Sequence, residues 1–331
     1  MKIAMLNEAA PIPGRMNEDA CAIFSSGDQI ALLVADGAGQ RMKTTQTTAL
    51  FERLGTGTTS ARFAAQLTRG VFEANLHRAP NEILLRANAA LRQEMDSVYG
   101  ELSAAALRQH EPQLAPYLDE DPRLFRMALA VCVATAVQID RRARTLDYAH
   151  AGDTALLLFH ADGRISEPTR DPVGHYDEAA LKQAQQIQAE HGAPHLADVL
   201  DDPRVREANW RNGLYHNYVD GQGAVDPNLG VGVINGLPEL TAYIQQDTLD
   251  LTGVEGVLVC SDGFPWPAPL DEPAEERAAR LQSMRERIEH DGLEGYYVAL
   301  RATERADFTR DLYPRFKIHD DCTAVYVTLS D

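Results

Sequence analysis

The sequence predicts an α+β fold, a mainly antiparallel β-sandwich flanked by helices. Apolar runs of strand length recur from one end of the chain to the other. Between groups of strands the apolar period changes to that of paired amphipathic helices, without the regular β-α-β alternation of a doubly wound parallel sheet. A 44% hydrophobic content beside 24% charged residues supplies a core and excludes wholesale disorder.

The first strands are Ile3 to Leu6, Ala20 to Phe24 (ACAIF) and Ile30 to Ala35 (IALLVA), the last two joined by the turn-forming Ser25-Ser26-Gly27-Asp28. Phe63, Leu67 and Val71 then recur every fourth residue behind Ser60, a candidate N-cap, and Leu84, Ala87, Leu91 and Met95 follow Pro80-Asn81. Residues from about Gly100 to Pro122 mix proline and acid without a sustained period, which reads as a short helix within a surface insertion. The β pattern resumes at Ala128 to Ile139, Thr145 to His150 and Thr154 to His160.

A polar helix from Asp177 to His191 leads into a weakly patterned excursion ending near Asn228. Strand signals return at Gly230 to Ile234, Thr241 to Leu251 and Gly256 to Cys260 (GVLVC). Helices at about Pro273 to His290 and Leu293 to Asp307 precede a last strand, Thr323 to Leu329. With no internal repeat and no Pro/Ser linker, the 331 residues read as one domain, with the insertion near 100–122 and the excursion near 191–228.

Charge narrows the partners. The chain carries 31 Lys+Arg against 49 Asp+Glu, a formal charge of 31 − 49 = −18. Affinity for nucleic acid comes largely from Lys and Arg displacing counterions, so nucleic acid is not an expected partner. The longest apolar run, Met127 to Val137, is far short of the roughly 20 residues needed to cross a bilayer. The first residues lack the apolar stretch of a signal peptide. Cys21, Cys132, Cys260 and Cys322 are scattered without a C-x-x-C pair, as reduced core thiols are. A cytoplasmic protein without a membrane partner is the expectation.

The chemistry-bearing pattern is aspartate at the ends of apolar strands. Asp36-Gly37 follows IALLVA, Asp262-Gly263 follows GVLVCS, and Asp320-Asp321 precedes TAVYVTL. Converging acids repel unless a cation sits among them. Hard carboxylate oxygens suit Mg²⁺ or Mn²⁺, whereas zinc would want the Cys/His clusters this chain lacks. The alternative is ordinary turn chemistry, for Asp36, Asp162, Asp220, Asp262 and Asp291 are all followed by glycine, and Asp162-Gly163 reads as a hairpin turn. Asn17-Glu18-Asp19 and Gly152-Asp153 admit the same two readings.

In order along the chain stand R-x-N-E-D-A (Arg15 to Ala20), V-A-D-G-A-G (Val34 to Gly39), A-G-D (Ala151 to Asp153), C-S-D-G (Cys260 to Gly263) and D-D-x-T-A-V (Asp320 to Val325). This succession resembles the motifs of the metal-dependent, type 2C (PPM) protein serine/threonine phosphatases. The resemblance implies a four-layer αββα sandwich with two Mn²⁺ or Mg²⁺ ions at one end, and a third in some members. It implies that Asp36 bridges the two ions, that Gly37 offers a backbone carbonyl, and that Asp262 and Asp320 complete a shell. Glu18 and Asp19 match the N-terminal acidic pair, and Asp153 matches the aspartate that helps hold the third ion. Arg15 is the implied phosphate-binding arginine.

The implied reaction is hydrolysis of phosphoserine or phosphothreonine in proteins. Two ions about 4 Å apart share a bridging hydroxide poised for in-line attack, with Asp36, Asp262 and Asp320 as the catalytic unit. The implied partners are a phosphorylated protein and a Ser/Thr kinase. Arg15 stands three residues before Glu18 where many members have four; in a strand such a slip would turn the side chain to the other face. Ala38 replaces a histidine found in many members, Thr154-Ala155 stand where Ser-Arg is common, and Asp321 where Asn is common. A catalytically silent domain that binds a phosphoprotein or regulator is the alternative, and a hydrolase of small phosphoesters is a third reading.

Overall fold

The computed structural model describes residues 1–329. Among them the strands are β1 (Lys2–Glu8), β2 (Ala20–Ser26), β3 (Gln29–Ala38), β4 (Val131–Asp140), β5 (Thr145–Ala151), β6 (Ala155–His160), β7 (Ile165–Ser166), β8 (Gln245–Asp250), β9 (Val254–Cys260) and β10 (Cys322–Thr328). The α-helices are α1 (Thr48–Phe51), α2 (Ser60–Ala74), α3 (Pro80–Tyr99), α4 (Ala104–His110), α5 (Ala115–Glu120), α6 (Gly174–His191), α7 (Pro203–Arg211) and α8 (Ala274–Ala306). The strands form two antiparallel five-stranded sheets with helices packed on them, the α+β class the sequence predicts. Each sheet is the centre of a compact unit.

The first unit comprises Met1–Arg15, Ala155–Asn212 and Gly253 onward, and its sheet has the order β1-β10-β9-β6-β7. Leu258, Cys260, Ala324 and Tyr326 on one face pack against Met284, Ile288, Leu293, Tyr296 and Leu300 of α8. Each large apolar side chain so buried stabilises by roughly 1.5–3 kcal/mol. The two helices expected around residues 273–307 are one run broken at Gly292, whose φ of 73° and ψ of 178° lie outside the helical region. α6 and α7 share a smaller cluster of Ala184, Ile187 and Val205 with Leu196 and Val199.

The second unit comprises Met16–Thr154 and Gly213–Thr252, and its sheet has the order β2-β3-β4-β5-β8. α2 lies along β3 and against α3, burying Phe63, Ala64, Ala65 and Phe72. The α2 cap is Thr59, one residue earlier than expected, whose side chain accepts from the backbone N–H of Arg62 at 3.2 Å. β3 does not end at Ala35. Asp36 pairs with Val133 and Gly37 with Cys132, so the ladder with β4 carries the strand through the first D-G, and no turn forms there. Asp162-Gly163, by contrast, makes the expected hairpin turn, with the backbone N–H of Arg164 bonded to Asp162 Oδ1 at 3.0 Å.

Two regions of this unit are held by side chains rather than ladders. Segment 100–128 carries α4 and α5, buries Leu107 and Leu118 from them and Leu114 from the 3₁₀ turn between, and places Glu111 at 0% exposure. The Glu111 carboxylate accepts from Thr45 N (2.9 Å), Thr45 Oγ1 (2.7 Å), Gln46 N (2.9 Å), Tyr99 OH (2.8 Å) and Gln113 Nε2 (2.8 Å). Residues 230–234, expected as a strand, make only isolated bridges, such as Cys132 with Ile234, and β8 starts at Gln245 behind a 3₁₀ turn over Pro238–Ala242. Three buried asparagines take the place of the ladder. Asn217 donates to Val233 O and to Asn235 Oδ1, both at 2.7 Å, and accepts from Val233 N at 3.0 Å. Asn88 on α3 donates to Leu237 O (2.8 Å) and accepts from Asn235 N (3.1 Å) and Gly236 N (2.8 Å). Among the described residues no helix is long and apolar enough to cross a membrane.

Two outcomes follow for stability. A β-carbon at Gly152 would lie 2.0 Å from Val133 Cγ1, and the residue's φ of +97° already disfavours a side chain. Gly152→Ala should cost about 2 kcal/mol or more in urea titrations, and nearly as much in a Val133→Ala background, where the Val133 β-carbon would still stand 2.2 Å away and the backbone strain persists. Glu111→Ala, which orphans several buried donors, should cost about 3 kcal/mol or more. Burial alone would raise the Glu111 pKa, but the bonds from Thr45, Gln113 and Gln46 outweigh it and hold the carboxyl below its ordinary 4.5. A depressed carboxyl stabilises above the unfolded pKa, so the stability gap between the parent and Glu111→Gln should be full above about pH 5 and narrow as pH falls through 4.5 and lower.

Candidate active site

The ladders place the motif carboxylates at sheet ends. In the second unit Ala20 pairs with Ala35, Ala35 with Ala134, and Ala134 with Ala151. One step beyond this row stand Asp19 before β2 and Asp36 in β3, while Gly152-Asp153 leaves β5 on the same edge. Asp19 is buried, and its backbone N–H donates to Asn17 Oδ1 at 2.8 Å, which fixes the N-E-D turn. The Asn17 carbonyl in turn accepts from Arg62 Nη1 of α2 at 2.6 Å. At Gly37 a β-carbon would stand 2.5 Å from Ala61 O and 2.7 Å from Glu18 O, so only glycine lets the first turn of α2 and the Glu18 backbone close on β3.

In the first unit Cys260 pairs with Ala324 across β9 and β10, so Asp262 just past one strand meets Asp320 and Asp321 just before the other. Ser261 and Thr323 tie the two segments: Ser261 N donates to Thr323 O at 2.9 Å, and Thr323 N to Ser261 Oγ at 3.0 Å. A β-carbon at Gly263 would lie 1.9 Å from Asp321 O. Asp321 is buried and accepts from the backbone N–H of Ala10 at 2.7 Å. The Asp320 carbonyl accepts from Arg301 Nη2 at 2.7 Å, and Arg301 is held by Glu304 at 2.6 Å over the ring of Tyr297.

The Asp320 carboxylate faces cations. Lys317 Nζ stands 2.8 Å from Oδ1 and 2.6 Å from Oδ2, and Arg15 Nη2 stands 3.5 Å from Oδ1. Arg15 lies in irregular chain between β1 and β2, so strand alternation does not decide where its side chain points. Its Nε is 3.9 Å from Asp321 Oδ1.

The residues fit a hard divalent ion by three observations. Every charged donor is a carboxylate. An ammonium sits between the two oxygens of Asp320, where a metal could take its place. The Gly37 backbone is pressed into a space no side chain could share. Among the described residues, no three His, Cys, Asp or Glu side chains are already gathered into a metal-holding group.

Several residues with supporting roles escaped the sequence reading. Arg62, Arg301, Glu304 and Lys317 bear no motif signature, because each acts on a partner distant in sequence or through a loop whose shape is not periodic. His319 is buried and bonds Glu304 Oε2 through Nδ1 at 2.7 Å, and His150 bonds Thr135 at 2.8 Å, so both histidines brace the fold. The four cysteines are buried and none forms a disulfide among the described residues, and burial pushes the Cys21 thiol up to about 11 and that of Cys132 to about 12, away from the reactive thiolate form.

Comparison with known proteins adds the lineage. Solved structures that resemble the chain include RsbX in complex with magnesium, with 12% identity, a TM-score of 0.46 and coverage of 99% of this chain and 94% of that one. The Mycobacterium tuberculosis serine/threonine phosphatase PstP gives 16% identity and a TM-score of 0.45, with 100% and 99% covered. The serine/threonine phosphatase Stp1 from Staphylococcus aureus gives 12% and 0.47, with 100% and 95% covered. No curated protein matches the sequence. The family model for protein phosphatase 2C matches residues 12–299, a span that holds Arg15, Glu18, Asp19, Asp36, Asp153 and Asp262 and stops short of Asp320. With most of its length matched, the chain belongs to the protein phosphatase 2C family.

Proposed function

We propose that the chain hydrolyses phosphoserine and phosphothreonine in proteins with the help of Mn²⁺ or Mg²⁺. The observation that carries this reading is that in each unit the motif carboxylates stand at strand ends, in a member of the protein phosphatase 2C family. Glu18, Asp19, Asp36, the Gly37 carbonyl, Asp153, Asp262 and Asp320 would hold the ions, two of them and a third at Asp153 and Asp262. When bound, the ions supply positive charge and an activated water for attack on phosphorus.

The chain's own residues contribute positioning. Arg15 presents a planar fork of donors suited to two phosphate oxygens. Arg301 pins the backbone of Asp320, and the Ser261–Thr323 pair keeps Asp262 and Asp320 in register. Ala38 offers no proton, so the leaving serine or threonine oxygen takes its proton from water. The chain would work as one catalytic domain, with 100–122 and 191–228 as excursions from it, in the cytoplasm, opposing a Ser/Thr kinase.

One observation favours the second reading, a silent domain that binds phosphoprotein: Asp320 is already neutralised by Lys317 and Arg15. Activity assays separate the two. Turnover of a phosphopeptide should vanish with chelator and return with Mn²⁺. Asp36→Asn, which keeps volume and removes charge, should fold yet lose on the order of 100-fold or more in kcat. Divalent ions should raise the parent's Tm by binding the native state, and raise that of Asp36→Asn less. A parent with neither metal-dependent stabilisation nor turnover would leave the silent domain standing. Arg15→Ala should raise KM for the phosphopeptide about tenfold, the loss of one charge-assisted contact, and unchanged kinetics would move that role to another cation.

A further inference from the structure

We propose that Lys317 is a built-in competitor for the divalent ion at Asp320, and that it sets how tightly the first unit takes that ion. The inference rests on the reading of Asp320 as a metal ligand. Its ground is the unequal way the two ends of Asp320 are held. The main chain is fixed: its carbonyl accepts from Arg301, whose side chain is 3% exposed and paired with Glu304. The carboxylate accepts one backbone N–H, that of Asp321 at 2.9 Å, and otherwise faces an ammonium three residues back, whose side chain is 53% exposed. That ammonium reaches both oxygens, at 2.8 and 2.6 Å, so a cation bound between them must displace it.

Lysine suits such a part. Its head is a compact, strongly hydrated charge on a flexible stem, so release into water costs little. Exposed pairs of this kind contribute 0 to about 1 kcal/mol, which bounds the penalty they impose on an incoming ion to a few-fold in affinity. Arg15 is less suited to the same part, because its Nη2 stands 3.5 Å from Asp320 Oδ1, farther than Lys317 from either oxygen. The loop between α8 and β10 would therefore carry its own monovalent stand-in, which keeps the acid neutralised while no ion is bound and gives way when one arrives.

Calorimetric titration of Mn²⁺ into the full chain tests this without recourse to turnover. Lys317→Met should tighten Mn²⁺ binding about two- to fivefold, and the difference should shrink at high salt. Lys317→Arg, which keeps the charge, should stay near the parent. Lys182→Met serves as the control, because Lys182 belongs to the same unit but pairs with Glu178 and Asp271; it should leave the affinity unchanged. Equal binding by parent and Lys317→Met would overturn the proposal, as would weaker binding by the variant, which would make the lysine an organiser of the site. If Asp320→Asn binds Mn²⁺ as the parent does, Asp320 is no ligand and the underlying reading falls with the inference. If Asp320→Asn loses binding while Lys317→Met matches the parent, only the inference falls.

Discussion

At Gly37, Gly152 and Gly263 the chain has no room for a β-carbon, and much of the candidate site follows from that. Each glycine belongs to a motif that also carries an aspartate, and each lets a second backbone or a packed side chain come within contact of the motif strand: Ala61 and Glu18 at Gly37, Val133 at Gly152, Asp321 at Gly263. The glycines thus act as spacers of zero thickness. They bring the Glu18 backbone against β3 and the two aspartate-bearing loops of the first unit against each other, leaving the acids at the sheet ends. Asp36 and Asp262 look alike in sequence, yet one sits in a paired strand and the other in a turn. What they share is the close approach behind them.

Electrostatics then divides the acids into those that are satisfied internally and those at the sheet ends. Glu111 spends its charge on five donors within its own unit and locks the segment that follows the V-A-D-G-A-G motif. Glu304 is sandwiched between Arg301 and His319. The Asp320 carboxylate, at the end of that chain of contacts, meets the flexible Lys317 and the more distant Arg15. In a chain with a formal charge of −18, local neutralisation of this kind limits the repulsion that clustered carboxylates impose on the folded state.

Much of this was legible in the sequence, for reasons that also explain what was not. β2, β3, β4, β9 and β10 announce themselves as apolar runs, and α2 and α3 as repeats near every fourth residue, because sheet and helix burial impose a period. The acids at strand ends and their order along the chain were likewise readable. The segment around 230–234 reads as a strand because Val231, Val233 and Ile234 are apolar; its backbone bonds go instead to Tyr215, Asn217 and Cys132, and those of the next residues to Asn88, partners that follow no spacing. Arg62, Arg301 and Lys317 were missed for the same reason. Their roles depend on which loop faces them, and a loop of irregular shape leaves no periodic trace.

The asparagine network has a chemical consequence as well. Asn235 is followed by Gly236, the dipeptide in which the next backbone nitrogen most readily attacks the side-chain amide to form a succinimide. Here that nitrogen donates to Asn88 Oδ1 at 2.8 Å, and the Asn235 oxygen is taken by Asn217 and by the backbone N–H of Leu237. The attacking and attacked groups are both engaged, and the residue is fully buried. The folded chain therefore shields one of its most age-prone bonds by the same contacts that hold residues 233–237 in place. Each excursion to the unfolded state removes the shield, so deamidation at Asn235, readable by peptide mass analysis, becomes a cumulative record of how often this unit has opened.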